Sequence, residues 1–504
     1  MAPLLCLIWV VMSFKPEIII GPPGTGKTTS LLGIVSDALE KGVEPNRIGF
    51  LAFTKKAATE AIERAEENFG FKEKHLPYFR TLHSLAFRML NMKRDRVLAP
   101  KDIKEFGNIL GLRLTGYINA EEGTTYGSSV GDRALFMSGL SRLRNVSLEE
   151  QFKLDNDDLS WYEVERVHRG LREFKDARGL KDFTDMLEGF VSYGEAPELD
   201  LLVVDEAQDL SALQWQMVMK LAVTAKRVVV AGDDDQAIFQ WAGADVAYFV
   251  KMAGKVTVLN QSYRIPEAVQ ATASGIIEKV AVRRTKRWSA RKGKGQVIYH
   301  TTPDSINMSK GSWLVLARNS YLLDSIEQQC RREGLIYERH KKRSVSQRII
   351  NAIKTWEYLR EGGTASAQEL TKVFKWISRL VKKVPEHGEY SLDELRKNWG
   401  VRTDAIWHEA FVKMSLVERS YMTAALRLGE KITKQPRIIL STIHSAKGGE
   451  ADNVILFSDV AQRTFKDMQK FPDNERRVFY VGTTRTRNNL NIIVSKTKFS
   501  FSEI

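Results

Sequence analysis

The sequence predicts an α/β protein built on two doubly wound parallel sheets, each interrupted by a mainly helical insertion. Short apolar runs alternate with helical patterns near both ends of the 504-residue chain. These runs are mainly apolar, which suits strands that are covered by helices on both faces of a parallel sheet. Between them lie two long stretches that are rich in charge and poor in strand character. These stretches are the predicted insertions.

Four apolar runs predict the strands of the first sheet. They are Glu17–Ile20, Ile48–Phe53, Leu199–Val204 and Arg227–Ala231. A glycine-rich loop follows the first run, and then a helix with apolar residues on one face. The first insertion, from about Phe87 to Leu180, carries a helical stripe formed by Val164, Val167, Leu171 and Phe174.

Six further runs predict the strands of the second sheet. They are Val256–Leu259, Gln296–His300, Trp313–Ala317, Arg437–Ile443, Val454–Phe457 and Leu490–Val494. A second helical stretch lies between about Leu335 and Pro436, with breaks at Gly362–Gly363 and Pro385–Gly388. The predicted division is therefore 1–86 with 181–255 for the first sheet domain, 87–180 for its insertion, 256–335 with 436–504 for the second, and 336–435 for its insertion.

Composition favours a polyanionic partner. The hydrophobic content of 43% is enough to bury several cores. The formal net charge is +14, but 62 acidic residues are present. A surface that binds a polyanion must therefore be a local cluster of basic residues. No run approaches the roughly 20 apolar residues of a membrane span. Nucleic acid is therefore the expected partner, rather than a membrane.

Cysteine usage and the first residues indicate a cytoplasmic protein. Cys6 and Cys330 are too few for a zinc or iron–sulfur ligand set, and a reducing compartment fits them. The apolar stretch Pro3–Val11 lacks the basic segment and the cleavage site of a signal peptide. Met12 offers an alternative translation start.

The glycine-rich loop GPPGTGKT lies between a predicted strand and a predicted helix, which is the context of a phosphate-binding loop. Glycines let successive backbone N–H groups face phosphates, Lys27 reaches the terminal phosphates, and the Thr28 hydroxyl can bind Mg²⁺. The sequence therefore predicts an ATP site with Mg²⁺. Its predicted nucleotide-binding residues are Gly21, Pro22, Pro23, Gly24, Thr25, Gly26, Lys27, Thr28 and Thr29.

Asp205 and Glu206 end the apolar run Leu199–Val204. One acid at such a position can hold Mg²⁺ while its neighbour polarises an attacking water, as nucleoside triphosphate hydrolysis requires. Alone, the pair is as well explained by two solvated acids in a turn. The phosphate-binding loop upstream favours the hydrolytic interpretation, with Asp205 as a metal ligand and Glu206 as the general base.

Nine motifs, in order, resemble those of the UvrD/Rep-like branch of the superfamily 1 helicases. They are GPPGTGKT, FTKKAA, TLHS at Thr81–Ser84, DFTDML at Asp182–Leu187, DEAQD, GDDDQAIFQWAGA, LNQSYR at Leu259–Arg264, TIHSAKGGE at Thr442–Glu450 and RRVFYVGTTRTR at Arg476–Arg487. The resemblance implies two RecA-like motor domains that hydrolyse ATP. It also implies 3′→5′ movement on single-stranded DNA.

The resemblance assigns catalytic roles beyond the phosphate-binding loop. Gln236 matches the family's γ-phosphate sensor, and Arg264 and Arg485 match its arginine fingers, although a single arginine is ordinarily a surface residue. Tyr263 matches the residue that stacks on adenine, and Glu450 matches one that helps to hold the nucleotide.

The resemblance also implies a set of DNA-binding residues. They are Phe53, Thr54, Thr81, His83, Phe239, Trp241 and His444. Aromatic side chains stack on bases without regard to sequence, but these aromatic residues could equally belong to the core. Each histidine could be structural. The basic run Arg283–Lys294 could follow phosphates or form a solvated loop.

The function implied by the resemblance is that of an ATP-dependent DNA helicase and single-strand translocase. Its expected partners are single-stranded and tailed duplex DNA, together with replication or repair proteins. Two alternatives stay open at this point. One is a translocase or remodelling ATPase that unwinds little; the other is a nucleotide-dependent switch that holds single strands and turns over slowly.

Overall fold

A computed structural model describes residues 15–52, 55–116, 118–119, 124–125, 127, 129–377, 386–495 and 497–504. The chain forms two compact units. The first contains Met1–Ile265, Ile277–Lys292 and Phe471–Tyr480, and the second contains Pro266–Ile276, Gly293–Lys470 and Val481–Ile504. The finer division of the chain into four parts stays a prediction.

The first unit is organised around a six-stranded parallel sheet. The strands before residue 259 are β1 (Glu17–Ile20), β2 (Ile48–Ala52), β3 (Phe79–Thr81), β4 (Ile118–Asn119), β5 (Thr124–Thr125), β6 (Leu199–Val204), β7 (Ala225–Gly232) and β8 (Lys255–Val258). The sheet has the order β3-β2-β6-β7-β1-β8, and β4 and β5 form a separate antiparallel pair. Since the sheet is parallel, the carboxyl ends of β1, β6 and β7 lie on the same side of the sheet.

Helices of the first unit cover this sheet and form its insertion. They are α1 (Lys27–Glu40), α2 (Lys55–Phe69), α3 (Leu82–Met89), α4 (Pro100–Leu110), α5 (Val130–Leu143), α6 (Leu148–Leu154), α7 (Trp161–Arg178), α8 (Phe183–Tyr193), α9 (Ala212–Val223) and α10 (Val246–Lys251). The apolar face of α1 is buried against the sheet strands, and the predicted stripe of α7 is buried in a separate cluster with α4 and α5. The insertion therefore has its own small core.

Two strands of this sheet differ from the sequence-based expectation. The run Val256–Leu259 was assigned to the second sheet, but Lys255–Val258 pairs in parallel with β1, so that assignment is wrong. The strand Phe79–Thr81 was not predicted. Both strands lie at edges of the sheet, where β8 is largely exposed and β3 is only three residues long. Edge strands carry a weaker apolar pattern, and such a pattern does not indicate which sheet a strand joins.

The second unit contains a seven-stranded sheet. The later strands are β9 (Gln296–His300), β10 (Trp313–Ala317), β11 (Tyr337–Arg339), β12 (Lys342–Arg343), β13 (Thr364–Ser366), β14 (Glu389–Ser391), β15 (Ile438–Thr442), β16 (Ala451–Phe457) and β17 (Thr486–Ile493). The sheet order is β12-β11-β15-β10-β16-β17-β9, parallel except for the hairpin of β11 and β12, while β13 pairs with β14.

The later helices include those of the second predicted insertion. They are α11 (Glu267–Ile277), α12 (Asp324–Glu333), α13 (Gln347–Arg360), α14 (Ala367–Val373), α15 (Leu392–Trp399), α16 (Trp407–Ala410), α17 (Leu416–Arg427), α18 (Gln462–Lys470) and α19 (Pro472–Thr483). Across the ranges that the structure describes, none of the helices has the length and apolar character needed to cross a bilayer.

Candidate functional site

The loop between β1 and α1 has the backbone of a phosphate cradle. Gly24 and Gly26 adopt left-handed conformations, with φ of 71° and 75°. A Cβ atom at Gly21 would lie 2.8 Å from Cβ of Lys27, whereas one at Gly26 would meet nothing within 4 Å. Gly26 caps α1 and offers no side-chain acceptor to the first-turn N–H groups. The start of α1 therefore fits an anion such as a phosphate group.

The motif LNQSYR packs directly on this loop. The Ser262 hydroxyl donates to the Pro23 carbonyl at 2.7 Å, and the Tyr263 N–H donates to the Gly24 carbonyl at 2.8 Å. A side chain at Gly24 would overlap Cβ of Arg264. The structure thus brings Tyr263 and Arg264 to the loop, with the Tyr263 side chain 74% exposed. Ser262 was not predicted as a site residue, although a small polar residue inside the motif LNQSYR could have indicated a hydrogen bond of this kind.

Lys27 lies against both acids that follow β6. Its Nζ atom is 3.1 Å from Oδ1 of Asp205 and also forms an ion pair and a hydrogen bond with Glu206. Burial opposes the charge of Lys27, but the two carboxylates outweigh burial and raise its pKa above the ordinary value. The order of the strands explains this contact. Lys27 follows β1 and the two acids follow β6, and only β7 lies between these strands in the sheet.

The donor set around Lys27 fits a magnesium ion chemically. Asp205 supplies a carboxylate and Thr28 a hydroxyl, and Mg²⁺ prefers oxygen ligands completed by substrate phosphates and water. Asp205 is almost completely buried, and its backbone N–H donates to the Leu51 carbonyl at 2.8 Å. Its position is therefore fixed by the sheet.

Glu206 has a strained backbone. Its φ and ψ are 53° and 37°, which is the left-handed region that residues other than glycine rarely adopt. Such a conformation costs on the order of 1–2 kcal/mol. Strained residues cluster at functional sites, where the surrounding structure holds them in place. This observation supports a chemical role for Glu206.

A hydrogen-bonded chain connects Glu206 with the motif GDDDQ after β7. Nε2 of Gln208 donates to Oε2 of Glu206 at 2.5 Å, and Oε1 of Gln208 accepts from the Asp233 N–H at 3.0 Å. Nε2 of Gln236 donates to Oδ2 of Asp233 at 2.7 Å. A side chain at Gly232 would overlap Gln208, so glycine leaves the space for this link. Gln208 was missed by the sequence analysis, although it stands inside DEAQD.

Part of the basic run Arg283–Lys294 is buried rather than solvated. Nζ of Lys286 lies 2.6–2.9 Å from the carboxylates of Asp233, Asp234 and Asp235, which are themselves fully buried. Arg283 donates twice to Asp235, at 2.9 and 2.6 Å. Neither the phosphate-tracking nor the solvated interpretation is therefore correct for Arg283 and Lys286. The reason is that three adjacent buried acids require buried cations.

The predicted DNA-binding residues near α3 have structural partners. The Thr81 hydroxyl caps α3 by accepting from the Ser84 N–H at 3.3 Å. His83 is buried, and its ring meets Phe183 edge-on at 5.7 Å between centroids. Phe53 and Thr54, also predicted to bind DNA, lie outside the described residues. DNA-binding roles for these four residues stay predictions.

His83 should make the stability of the first unit depend on pH. Burial lowers the pKa of His83 to about 4, although Asp182 opposes the shift. Between about pH 6.5 and pH 4 the unfolded chain binds a proton that the folded chain does not, so stability should fall as pH falls through this window. The loss at this site should reach about 3 kcal/mol.

Chemical unfolding of the parent and of His83→Phe at several pH values measures this effect. The variant keeps an aromatic ring beside Phe183 and should show a flatter decline. The pKa of His168 is lowered as well, by burial and then by Arg142, so only the difference between parent and variant reports on His83. Equal pH slopes would contradict the prediction.

Phe239 and Trp241 differ in exposure. Phe239 is buried, whereas the side chain of Trp241 is 37% exposed and stacks on Phe136 at 6.2 Å between centroids. The carbonyl of the intervening Gln240 accepts from Arg144, which follows α5. Of these two aromatic residues, Trp241 is therefore the one that offers a surface for a base.

Three predicted site residues belong to the second unit. The Arg485 side chain is buried and its Nε donates to the Val481 carbonyl at 2.9 Å. Glu450 accepts from Nε of Arg487 at 3.1 Å. His444 lies in the turn after β15 and is partly exposed. Their nucleotide and DNA roles stay predictions.

Family models match both ends of the chain. The UvrD/REP helicase N-terminal domain matches residues 10–257, and the UvrD-like helicase C-terminal domain matches residues 438–493. The chain belongs to the UvrD/Rep-like helicases. The predicted family resemblance is confirmed, as is the α/β class with two parallel sheets.

Curated UvrD/Rep-like relatives include the ATP-dependent DNA helicases PcrA of two staphylococci. The Staphylococcus epidermidis protein is 27% identical over 310 residues, and the Staphylococcus aureus protein is 25% identical over 302 residues. In both cases the match covers 56% of this chain and 41% of the relative. The match thus spans about two-fifths of the length of these relatives.

Solved structures give a weaker likeness. An arterivirus nonstructural protein 10 helicase in complex with DNA aligns with 98% of this chain and 64% of that one, with a TM-score of 0.36 and 11% identity. The family assignment does not depend on this likeness, because a score this low does not establish a shared fold.

The UvrD/Rep-like motif DFTDML has a packing role in this chain. Asp182 and Asp185 both accept from Nζ of Lys175, at 2.5 and 2.6 Å, and both accept from Arg142. Burial of Asp182 opposes its charge, but Arg142 and Lys175 outweigh burial and hold its pKa well below the ordinary range. The motif therefore fastens α5 and α7 of the insertion to the start of α8.

Proposed function

We propose that this protein is an ATP-driven motor that moves 3′→5′ along single-stranded DNA and opens duplexes. The contact of Lys27 with Asp205 and Glu206 carries the proposal. A phosphate-binding lysine beside two acids at the end of a parallel strand suits hydrolysis of a nucleoside triphosphate. Family membership supports DNA as the track, with replication or repair proteins as further partners.

The proposed chemistry divides among residues of the first unit. Lys27 and the start of α1 hold the phosphates, and Glu206 accepts a proton from the attacking water. Mg²⁺, when bound by Thr28 and Asp205, neutralises charge on the phosphate oxygens. Lys27 is paired with both acids, and phosphate oxygens can take the place of these carboxylates at its Nζ atom. Glu206 then acts on the attacking water.

Further residues are proposed to complete the nucleotide site. Tyr263 stacks on the base and Arg264 contacts the phosphates, since both lie against the phosphate-binding loop. Gln236 senses the γ-phosphate through the chain that links it to Glu206. Arg485 and Glu450 are assigned to the nucleotide by family resemblance alone.

ATPase measurements test the proposed substrate and activator. The purified chain is incubated with ATP and Mg²⁺ alone, with oligo-dT, or with oligo-U of equal length. Oligo-dT should raise kcat by at least about tenfold, because a motor couples hydrolysis to its track. Slow turnover that DNA does not change, despite tight binding of single strands, would instead indicate a nucleotide-dependent binding switch.

Direction is tested with two duplexes that differ only in their tails. A duplex with a 3′ single-stranded tail should be opened in the presence of ATP, and one with a 5′ tail of the same sequence should not. A blunt duplex and a non-hydrolysable ATP analogue serve as controls. Preferential opening of the 5′-tailed duplex would refute the polarity, and DNA-stimulated hydrolysis without opening would indicate a translocase that does not unwind.

A further inference from the structure

Three consecutive buried carboxylates follow β7 and are compensated by a distant part of the chain. The side chains of Asp233, Asp234 and Asp235 are all fully buried. Lys286 contacts all three, at 2.9, 2.6 and 2.9 Å, and its own side chain is only 1% exposed. Burying charges is costly unless they are paired, so the conformation of this turn depends on Lys286.

Neighbouring basic residues stabilise the outer part of this acidic turn. Arg283 is paired with Asp235, while the backbone N–H of Arg284 donates to Asp234 at 2.8 Å. Nε of Arg477 donates to the backbone carbonyl of Asp234 at 2.8 Å. In the described part of the chain, the cation that pairs with the Asp233 carboxylate is Lys286. Asp233 is also the acid that leads towards the catalytic residues.

The route from Lys286 to Glu206 consists of short contacts that are buried as far as Gln208 and half-buried at Glu206. Lys286 holds Oδ1 of Asp233, and the Asp233 N–H donates to Oε1 of Gln208. Nε2 of the same Gln208 donates to Oε2 of Glu206. Since Gln208 is fully buried, its amide group cannot turn to water if Asp233 moves.

We propose that Lys286 is a positioning residue for ATP hydrolysis, which holds Glu206 in its working orientation through Asp233 and Gln208. This inference rests on the hydrolytic function proposed above. Removing Lys286 leaves adjacent buried carboxylates to repel one another, and the Asp233 turn moves or takes up protons. A displacement of catalytic geometry by about 1 Å can cost on the order of 100-fold in rate.

The test compares four variants with the parent. Lys286→Met removes the charge, and Arg287→Met removes an exposed charge one position away as a control. Lys286→Met/Asp234→Asn restores charge balance in the cluster without replacing Asp233 or Gln208. Gln208→Met breaks the same route at its other end without changing any charge. For each protein, kcat and KM for ATP are measured with saturating oligo-dT, together with binding of a fluorescent ATP analogue and Tm.

The expected pattern separates positioning from folding. Lys286→Met should lower kcat by about tenfold or more while affinity for the ATP analogue changes by less than about threefold. The double variant should recover Tm but not kcat, Gln208→Met should also lose kcat at near-parental affinity, and Arg287→Met should match the parent. If Lys286→Met does not fold, kcat of the double variant is compared with that of the parent instead.

Two results would overturn the inference. One is recovery of both Tm and kcat in the double variant, which would make Lys286 purely structural. The other is parental kcat in Gln208→Met, which would show that the route is not used. Failure of the proposed function is seen separately, because the parent itself would then show no hydrolysis stimulated by oligo-dT.

Discussion

The Glu206→Gln variant is expected to bind ATP with Mg²⁺ and to hydrolyse it at least about 100-fold more slowly than the parent, since loss of a general base typically costs 10²–10⁴ in rate. Glutamine keeps the size and the hydrogen-bonding reach of the side chain but does not accept a proton from water. Lys27, which is proposed to hold the phosphates, and Asp205, which is proposed to hold Mg²⁺, are both unchanged in the variant. Nucleotide binding should therefore survive the loss of turnover.

Lys27→Ala gives the contrasting result. It removes a phosphate contact, so ATP affinity and hydrolysis should both fall. Glu198→Gln is a matched control for Glu206→Gln. Glu198 lies just before the first residue of β6, at the opposite end from Glu206, and its carboxylate is exposed beside Arg47. Single-turnover hydrolysis and binding of a fluorescent ATP analogue distinguish the variants. Parental hydrolysis by Glu206→Gln would show that another group activates the water.

The Trp241→Ala variant is expected to lose single-strand affinity and duplex opening while keeping basal ATPase without DNA. Loss of one stacked base should weaken binding by about 1–3 kcal/mol, or roughly 5–150-fold. Trp241 stands five positions after Gln236 on the loop that follows β7. If Gln236 senses the γ-phosphate as proposed, a small movement of this loop can transmit the state of the nucleotide to the contact between Trp241 and a base.

Trp161→Ala controls for the loss of a half-exposed tryptophan. Trp161 is 38% exposed, close to the value for Trp241, and its ring likewise contacts a phenylalanine ring, that of Phe152. Tm, fluorescence anisotropy with labelled oligo-dT, and basal ATPase are measured on the same preparations. Both variants should lose similar stability, but only Trp241→Ala should lose DNA affinity. A destabilised Trp241→Ala protein with unchanged DNA affinity would contradict the coupling role.

Much of the fold is encoded in local patterns. Central strands such as Leu199–Val204, which is apolar apart from Asp200, are predicted with their observed bounds. The phosphate-binding loop was equally clear, because the glycines, the lysine and the flanking strand and helix stand together in the sequence. Edge strands were harder to assign, since β8 is largely exposed and its partner β1 lies more than 200 residues earlier.

Contacts between distant charges could not be predicted in the same way. The pattern of Lys286 and Arg283 is that of a solvated basic loop, and only the fold shows that both compensate buried acids some 50 positions earlier. The left-handed backbone of Glu206 is likewise a product of its surroundings, since glutamate has no local preference for it. The sequence does not show that the Gln208 amide contacts both Glu206 and Asp233, so Gln208 was not predicted as a site residue.

The path of the backbone has a consequence for biosynthesis. The first unit is completed by Phe471–Tyr480, more than 200 residues after its first long segment ends at Ile265. Domains commonly fold during synthesis as soon as they leave the ribosome, but here Arg477 reaches the Asp234 carbonyl only after 243 further residues have been made. Nascent chains that stop before Phe471 should therefore expose an incomplete acidic turn and depend on chaperones. The two units also cannot be released from each other by a single proteolytic cut.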